Sequence, residues 1–221
     1  MTPAPPVFEG FADIIAVLVL LAEFGMLRAA MLRAQVRLYA AQSLLLAVLA
    51  AVAAFERHVP ELYALAVLSF ALKVIIVPAV VQRLLRDAKT EIAGSGALGV
   101  ASETLVALIV TAFGFFAVGA LHIQSDFLPS TALSLSVAVA LVAFVLMTVR
   151  RDVVSQAVGF FSLENGVSLT SLVVAANMPL ILEVAFLFDL LVAVVVFGVL
   201  MKVHHERRRS LSTVHLTRLR G

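Results

Sequence analysis

Three ionisable residues lie inside long apolar stretches of this chain, which is an unusual place for them. They are Lys73 in the stretch 70–78, Glu164 in 160–166 and Asp189 in 186–191. An ionisable group at the centre of a bilayer costs about 2.5–3.5 kcal/mol, so such residues are functional candidates by default. Carboxyl groups exchange protons, and a nearby cation changes how tightly a buried acid holds its proton. The pattern predicts proton relay; a structural ion pair or a polar helix contact is the alternative.

Glu164 and Asp189 belong to the last two apolar stretches, which a short turn joins. Helices joined in this way are usually adjacent and antiparallel, so we expect the two acids to face one another or shared water. Lys73 would then be the cation that sets the proton affinity of either acid.

Five further polar residues lie in apolar stretches, closer to their ends or without charge. Glu183, Glu23 and Glu103 fall near predicted membrane interfaces, where the simplest interpretation is that each side chain snorkels to water. The alternative is that they line a proton path, with Glu183 as its outer connection and Glu23 and Glu103 as polar support. Gln42 and Asn165 are amides within the membrane, and hydrogen bonding between helices is their expected role.

Helix-disturbing residues accompany two of the charges. Pro78 follows Lys73 by five residues, and Gly166 follows Glu164 by two. Proline removes a backbone donor, and both residue types occur at kinks, so these helices are predicted to be kinked or locally hydrated beside their charges. The alternative is a tolerated irregularity without function.

Composition defines the elements that must position these residues. The chain is 62% hydrophobic and only 14% charged, with a mean hydropathy of +1.11. These values lie outside the range of soluble proteins. In hydrocarbon only helices and closed barrels satisfy the backbone, and the apolar stretches are about twice as long as a barrel strand. The predicted fold is an all-α, polytopic transmembrane helical bundle.

Seven stretches are long enough to cross the membrane. They cover residues 10–28, 38–55, 61–83, 97–120, 131–149, 153–175 and 179–202. The chain therefore divides into an N-terminal segment 1–9, helices 1–3 in 10–90, helix 4 in 97–120, helices 5–7 in 131–203 and a basic tail 204–221. Arginine and lysine concentrate in alternate loops and the tail, which predicts the N-terminus outside and the C-terminus in the cytoplasm. Two parallel triplets, helices 1–3 and 5–7, fit either an internal duplication or coincidental helix periodicity.

Several kinds of chemistry are not expected in this chain. It has no cysteine, so it cannot supply thiolates to iron–sulfur clusters, structural zinc or c-type haem. Its five histidines fall in predicted loops, interfaces or the tail, which argues against a haem-binding cytochrome b subunit. Nucleotide-binding and hydrolase motifs are absent. The basic residues are scattered according to topology, so lipid rather than nucleic acid is the expected partner.

Four motifs in the chain resemble the hydrogenase-4 component E family. They are Tyr39-Ala-Ala-Gln-Ser-Leu44, Leu72-Lys-Val-Ile-Ile-Val-Pro78, Gly159-Phe-Phe-Ser-Leu-Glu-Asn-Gly-Val-Ser-Leu169 and Leu180-Ile-Leu-Glu-Val-Ala-Phe-Leu-Phe-Asp189. The last contains an acid pair, Glu183 and Asp189, with the spacing seen in that family. The resemblance extends over most of the chain.

The last three predicted helices are also similar to the small K-type subunit of respiratory complex I. The shared features are the Arg150-Arg151 pair, an acid in each of the last two helices and the Arg-Gly end of a basic tail. Glu164 lies three residues beyond the K-type glutamate position, which falls on Phe161. Because three residues are about one helical turn, the face is similar and the depth is shifted.

These resemblances imply a membrane-arm subunit of an energy-converting hydrogenase or a formate hydrogenlyase-like complex in the cell inner membrane. Glu164, Asp189, Lys73 and Glu183 would contribute to proton translocation. The NiFe centre and iron–sulfur clusters are expected in partner subunits, namely a peripheral hydrogenase-like module beside antiporter-like membrane subunits. Two other functions remain open: a subunit of a multisubunit cation/proton antiporter, and a structural membrane anchor for a peripheral redox module.

Overall fold

A computed structural model of the chain describes residues 6–88, 92–94, 96–120, 130–174, 185, 188, 191–200 and 203. In this part of the chain the long elements are all helices. Seven of them are α1 (Pro6–Arg28), α2 (Leu32–Arg57), α3 (Pro60–Ser69), α4 (Val77–Ala88), α5 (Val100–Ala120), α6 (Ser130–Val149) and α7 (Val153–Val174). A π-helical segment, Phe70–Ile76, joins α3 to α4. A shorter apolar helix, α8, covers Leu191–Leu200.

Six helical units of the described chain are long and apolar enough to cross a membrane. The third unit runs from α3 through the π-helical segment into α4. Large apolar side chains such as Ile14, Leu105 and Phe116 are exposed on the outside of the bundle. Polar side chains in the middle of the helices, such as Lys73 and Glu164, lie inside it. This distribution is what lipid as the surrounding solvent requires. The all-α membrane-protein prediction is confirmed, whereas half of the predicted seventh span, 179–202, lies outside the described residues.

Backbone chemistry explains where several helices begin and end. Pro60 occupies the start of α3, where its missing N–H costs no hydrogen bond. His58 ends α2 in the left-handed region, with φ 55°. The helix α2 begins at Leu32, six residues before the predicted apolar span, because Arg33 and Arg37 fit a helix that extends beyond hydrocarbon.

Side-chain contacts fix the relative directions of the helices. Between α2 and α7, Gln35 pairs with Ser155 and Gln42 with Ser162, at the same sequence separation of 120 residues. A constant separation means that these two helices run parallel. Gly25 of α1 lies against Leu38 of α2, and Gln42 reaches back to Val19, so α1 and α2 are antiparallel. Both relationships agree with the predicted alternation of spans.

The apolar interior forms two clusters at different depths. The first contains Ala12, Leu49 and Leu172, together with residues from α3 and α6. The second contains Leu27, Leu85 and further residues from α2, α6 and α7. Along each of α1, α2 and α7, the first cluster and the second cluster are separated by several residues. Polar side chains occupy this interval.

The first turn of α7 is capped by Asp152. Its Oδ1 accepts the Ser155 N–H at 2.7 Å, and its Oδ2 accepts the Gly94 N–H at 3.0 Å. The carboxylate thus satisfies one orphan donor of the helix and ties the loop before α5 to the start of α7.

Replacing Asp152 by alanine is expected to lower the free energy of unfolding by about 1–2 kcal/mol, because a cap and a loop contact are lost. Asp152→Asn keeps the acceptor for the Ser155 N–H and loses the one for the Gly94 N–H, so it should cost less than alanine. Chemical unfolding of the purified chain in mixed micelles would compare the two variants. Equal losses for alanine and asparagine would contradict the capping role.

Candidate functional site

Eight buried polar side chains form a layer between the two apolar clusters. We call this set the polar layer; its members are Glu23, Gln42, Ser43, Lys73, Ser162, Glu164, Asn165 and Ser168. They come from α1, α2, the π-helical segment and α7. Polar groups removed from water need hydrogen-bonding or charged partners. The layer therefore specifies how these four elements pack.

Lys73 and Glu164 form the charged centre of the polar layer. The Lys73 Nζ lies 3.1 Å from Glu164 Oε1, and the side chains are only 1% and 8% exposed. The same ammonium donates a hydrogen bond of 2.8 Å to Ser168 Oγ, one turn further along α7. The sequence predicted that Lys73 would face a buried acid, and Glu164 is that partner.

Lys73 lies within the π-helical segment, between two α-helical portions of the same rod. At the end of the segment, the Val77 N–H donates to the Leu72 carbonyl, five residues back. Pro78 follows and has no N–H, so the five-residue bonding pattern cannot continue through it. Single-turn π-helical segments occur frequently at functional sites. The irregularity predicted beside Lys73 is therefore present, as a change of helix type.

Gln42 connects the acid on α1 to the polar side chains of α7. Its Nε2 donates to the Val19 carbonyl at 3.2 Å and to Glu23 Oε2 at 3.0 Å. Its Oε1 lies 2.8 Å from Ser162 Oγ and 2.9 Å from Asn165 Nδ2. Asn165 Nδ2 also donates to Ser43 Oγ at 2.9 Å. The predicted role of both amides in binding helices together is confirmed.

Tyr39 extends the polar layer toward the charged pair. It is buried one turn before Ser43 on α2, with Ser43 and Glu164 as its polar surroundings. Its ring packs against Phe161 with 5.8 Å between ring centroids. Polar side chains consequently continue from Glu23 on α1, across α2, to Glu164 and Lys73.

Gly166 allows α7 to pack closely against α6. The helix α7 runs unbroken from Val153 to Val174. A Cβ added at Gly166 would lie 2.9 Å from the Ala140 nitrogen of α6. The absence of a side chain therefore allows two helix backbones to approach closely beside Glu164.

Glu23 and Glu103 are both buried, so the prediction that they snorkel to water is wrong. Glu23 is fully buried and points to Gln42 and Ser162. Glu103 lies 3.9 Å from an Arg150 guanidinium nitrogen. It also touches Gly96, where an added side chain would collide with the carboxylate. Position near a helix end misled the prediction, because Glu23 turns toward α2 and α7, and Glu103 turns toward the loops that contain Gly96 and Arg150.

Two predicted site residues, Asp189 and Glu183, lie outside the described residues. The expected contact between Asp189 and Glu164 is accordingly not described by the structure. Within the described part of the chain, no three histidine, aspartate or glutamate side chains are grouped so that they could hold a metal ion.

Comparison with known proteins gives one informative match. A protein of Mycobacterium tuberculosis (strain ATCC 25618 / H37Rv), described as "Uncharacterized protein Rv0085", is 30% identical over 190 residues. The match covers 86% of this chain and 85% of that protein. The chain belongs to the same family. No protein-family model and no solved structure matches the chain. This family membership assigns no activity to the chain.

Four residues of the site were not predicted as site residues, although all of them lie within the sequence motifs given above. They are Tyr39, Ser43, Ser162 and Ser168. The signal was present as polar residues at helical spacing inside apolar helices. On α2 it comprises Gln35, Tyr39, Gln42 and Ser43, and on α7 it comprises Ser155, Ser162, Asn165 and Ser168. Residues three and four apart share a helix face, so each set marks the face that meets the other helix.

Proposed function

We propose that the chain is a membrane-arm subunit of an energy-converting hydrogenase or formate hydrogenlyase-like complex in the cell inner membrane. In this proposal the polar layer contributes to a proton-translocation path, and redox chemistry in partner subunits drives it. Glu164 accepts and releases the proton. Lys73 controls how tightly that proton is held. Asp189 and Glu183 continue the path toward the outer side.

The observation that carries the proposal is the buried Lys73–Glu164 ion pair, with 3.1 Å between nitrogen and oxygen. Burying two charges in a membrane interior is costly, and apolar residues would stabilise the same space at least as well. A charge pair at such a buried position is best explained by a function that requires charge. Because a nearby ammonium favours the carboxylate, moving it away would favour proton uptake by Glu164.

The π-helical segment gives Lys73 a means of moving. Its wider turn lies between α3 and α4, and Pro78 prevents the same bonding pattern from extending further. A shift of the segment toward α-helical bonding would rotate Lys73 relative to Glu164. The proposal places the coupling between redox chemistry and protonation in this segment.

The resemblance to the hydrogenase-4 component E family supports the same role. Its motif positions Gln42, Lys73, Glu164 and Asn165 are all members of the polar layer. In the sequence they are up to 123 residues apart, as in the contact between Gln42 and Asn165. Motifs that come together in one layer are consistent with a shared function.

A structural anchor for a peripheral redox module is the second candidate. It is favoured by the hydrogen bonds of Gln42, which link α1, α2 and α7 through a single side chain. Under this alternative the charges stabilise helix packing and no proton moves through the chain.

Proton pumping in inverted vesicles that contain the assembled complex distinguishes the two candidates. We expect Glu164→Gln and Asp189→Asn to abolish pumping while assembly and electron-donor turnover persist. Glu56→Gln, at an exposed position near the end of α2, is the matched control and should pump normally. Normal pumping by both acid variants would refute the proposal and favour the anchor. Pumping that depends on sodium would favour an antiporter.

A further inference from the structure

Glu23 is a fully buried acid whose contacts in the described part of the chain are all to uncharged groups. Gln42 Nε2 donates to its Oε2 at 3.0 Å, and Ser162 Oγ touches the same oxygen. Its other oxygen, Oε1, is buried without a hydrogen-bond partner among the described residues. An ionised carboxylate spreads its charge over both oxygens, so this environment is a poor one for a negative charge.

The hydrogens available around Ser162 do not suffice if Glu23 is ionised. Ser162 has one hydroxyl hydrogen, yet its oxygen lies 2.8 Å from Gln42 Oε1 and also in contact with Glu23 Oε2. The oxygen of an amide carries no hydrogen. The Ser162 hydrogen must therefore go to Gln42, and the contact with Glu23 needs a hydrogen from the acid itself.

Turning the Gln42 amide does not remove the requirement. In that orientation the amide oxygen would face Glu23 Oε2 at 3.0 Å and the Val19 carbonyl oxygen at 3.2 Å. Three oxygens would then meet with no hydrogen among them unless Glu23 supplies one. Both assignments of the amide, which are interchangeable in heavy-atom positions, thus require a hydrogen from Glu23. Only the assignment with Gln42 Nε2 toward Glu23 also gives the Val19 carbonyl a donor, so this one is kept.

We infer that Glu23 is a proton-binding site, holding its proton on Oε2 as a neutral carboxylic acid that donates to Ser162. The site is separate from the Lys73–Glu164 pair. The polar contacts of Glu23 within the described residues are with Gln42 and Ser162, neither of which is ionisable. The inference of a bound proton stands on the hydrogen-bond count, whereas its use in transport rests on the proposed function.

Releasing the proton from Glu23 would rearrange its neighbours. The Ser162 hydrogen would turn from Gln42 to the new carboxylate, so Gln42 Oε1 would keep only the hydrogen bond from Asn165. Asn165 lies next to Glu164 in sequence and bonds Ser43, which is close to Tyr39. Occupation of the Glu23 site is in this way linked to the surroundings of Glu164 by hydrogen bonds.

Infrared spectroscopy of the full chain in lipid nanodiscs tests the inference directly. At neutral pH the difference between the parent chain and Glu23→Gln should contain a C=O stretching band of a protonated carboxylic acid that shifts in D₂O. Glu56→Gln, the exposed control, should remove carboxylate bands only. If Glu23→Gln also removes carboxylate bands only, the inference is overturned.

Two features make the test robust. Glutamine at position 23 is uncharged and its amide N–H can donate to Ser162, but it loses the hydrogen bond from Gln42, because one acid oxygen makes both contacts. The variant should therefore be somewhat less stable than the parent, and its melting is measured beside the spectrum to show that it is folded. In addition, Ser162→Ala removes the acceptor of the acid hydrogen and should shift the acid band. A band that Ser162→Ala leaves unchanged would contradict the assigned contact.

The same measurement separates this inference from the proposed function. The infrared band needs only the isolated chain, while pumping needs the assembled complex. If Glu23 is protonated and the Glu164→Gln variant pumps normally, the proposed proton path is refuted and the proton-binding site at Glu23 stands. If Glu23 is ionised and the Glu164→Gln variant does not pump, the proton-binding site at Glu23 is refuted and the proposed proton path stands.

Discussion

Replacing Lys73 by methionine is expected to lower the free energy of unfolding by about 3–5 kcal/mol. Methionine matches the length of lysine but has no charge, so Glu164 loses the ammonium that lies 3.1 Å from its Oε1. Ser168 loses a hydrogen-bond donor at the same time. Reversible unfolding in mixed micelles, followed by circular dichroism, measures the loss.

The double variant Lys73→Met/Glu164→Gln is the informative companion. Removing both charges eliminates the buried carboxylate that has lost the Lys73 ammonium, so the double variant should recover most of the loss. Arg83→Met, at an exposed position of α4, is the matched control for the same substitution and should change the free energy by about 0.5 kcal/mol or less. A double variant no more stable than Lys73→Met alone would show that the pair contributes through packing, not charge.

The charged pair could be predicted from sequence because the physics of burial leaves few options. A lysine in the middle of an apolar span must find a counter-charge, and a small number of acids occupy comparable positions. The contact between Lys73 and Glu164 required the structure, since span order alone does not say which helix faces Lys73. The fold could be predicted for similar reasons. The length of the apolar stretches predicts a helical bundle, and the alternation of basic loops predicts the relative directions of the helices.

Helix rotation explains most of what sequence analysis missed. Serine is common in membrane helices, so Ser162 and Ser168 stood out only once α7 was known to face α2. Glu23 is five residues from Arg28, and this distance from the helix end suggested an interface position. Its contact with Gln42, which is eleven residues into α2, places it inside the bundle instead. The distance of a residue from its helix end along the sequence indicates its depth in the membrane. It does not indicate which face of the helix is buried.

The π-helical segment was only partly predictable. Pro78 indicated an irregularity near Lys73, but a proline is compatible with a kink, a break or a change of bonding pattern. The outcome depends on how the buried Lys73 reaches Glu164 and Ser168 on another helix. These contacts are made between helices, so a local sequence pattern does not predict them.

Gly166 shows how closely the packing of α6 against α7 is tied to the polar layer. Glu164 and Asn165 immediately precede Gly166, and Ser168 follows two residues later. Because the Gly166 backbone touches Ala140, α7 is held at a fixed distance from α6 while its polar face meets α2. A side chain at position 166 would force α7 away from α6 or rotate it, and would move Glu164 relative to Lys73.

Gly166→Val is therefore expected to lower the free energy of unfolding by roughly 3 kcal/mol, at the upper end for overpacking. The valine Cβ would lie 2.9 Å from the Ala140 nitrogen, which is backbone and cannot turn aside like a flexible side chain. Unfolding in mixed micelles measures the loss. Gly119→Val on α5 is the matched control, since nothing lies within 4 Å of a Cβ there, and it should change stability by about 0.5 kcal/mol or less.

A second substitution tests whether the Ala140 backbone causes the clash. Ala140→Gly removes a methyl group that lies 3.2 Å from the added Cβ but leaves the nitrogen and Cα of residue 140 in place. The combination with Gly166→Val should recover less than half of the lost stability. Full recovery would mean that side chains alone set the distance between α6 and α7, and the position of Glu164 would then depend on side-chain packing that could readjust.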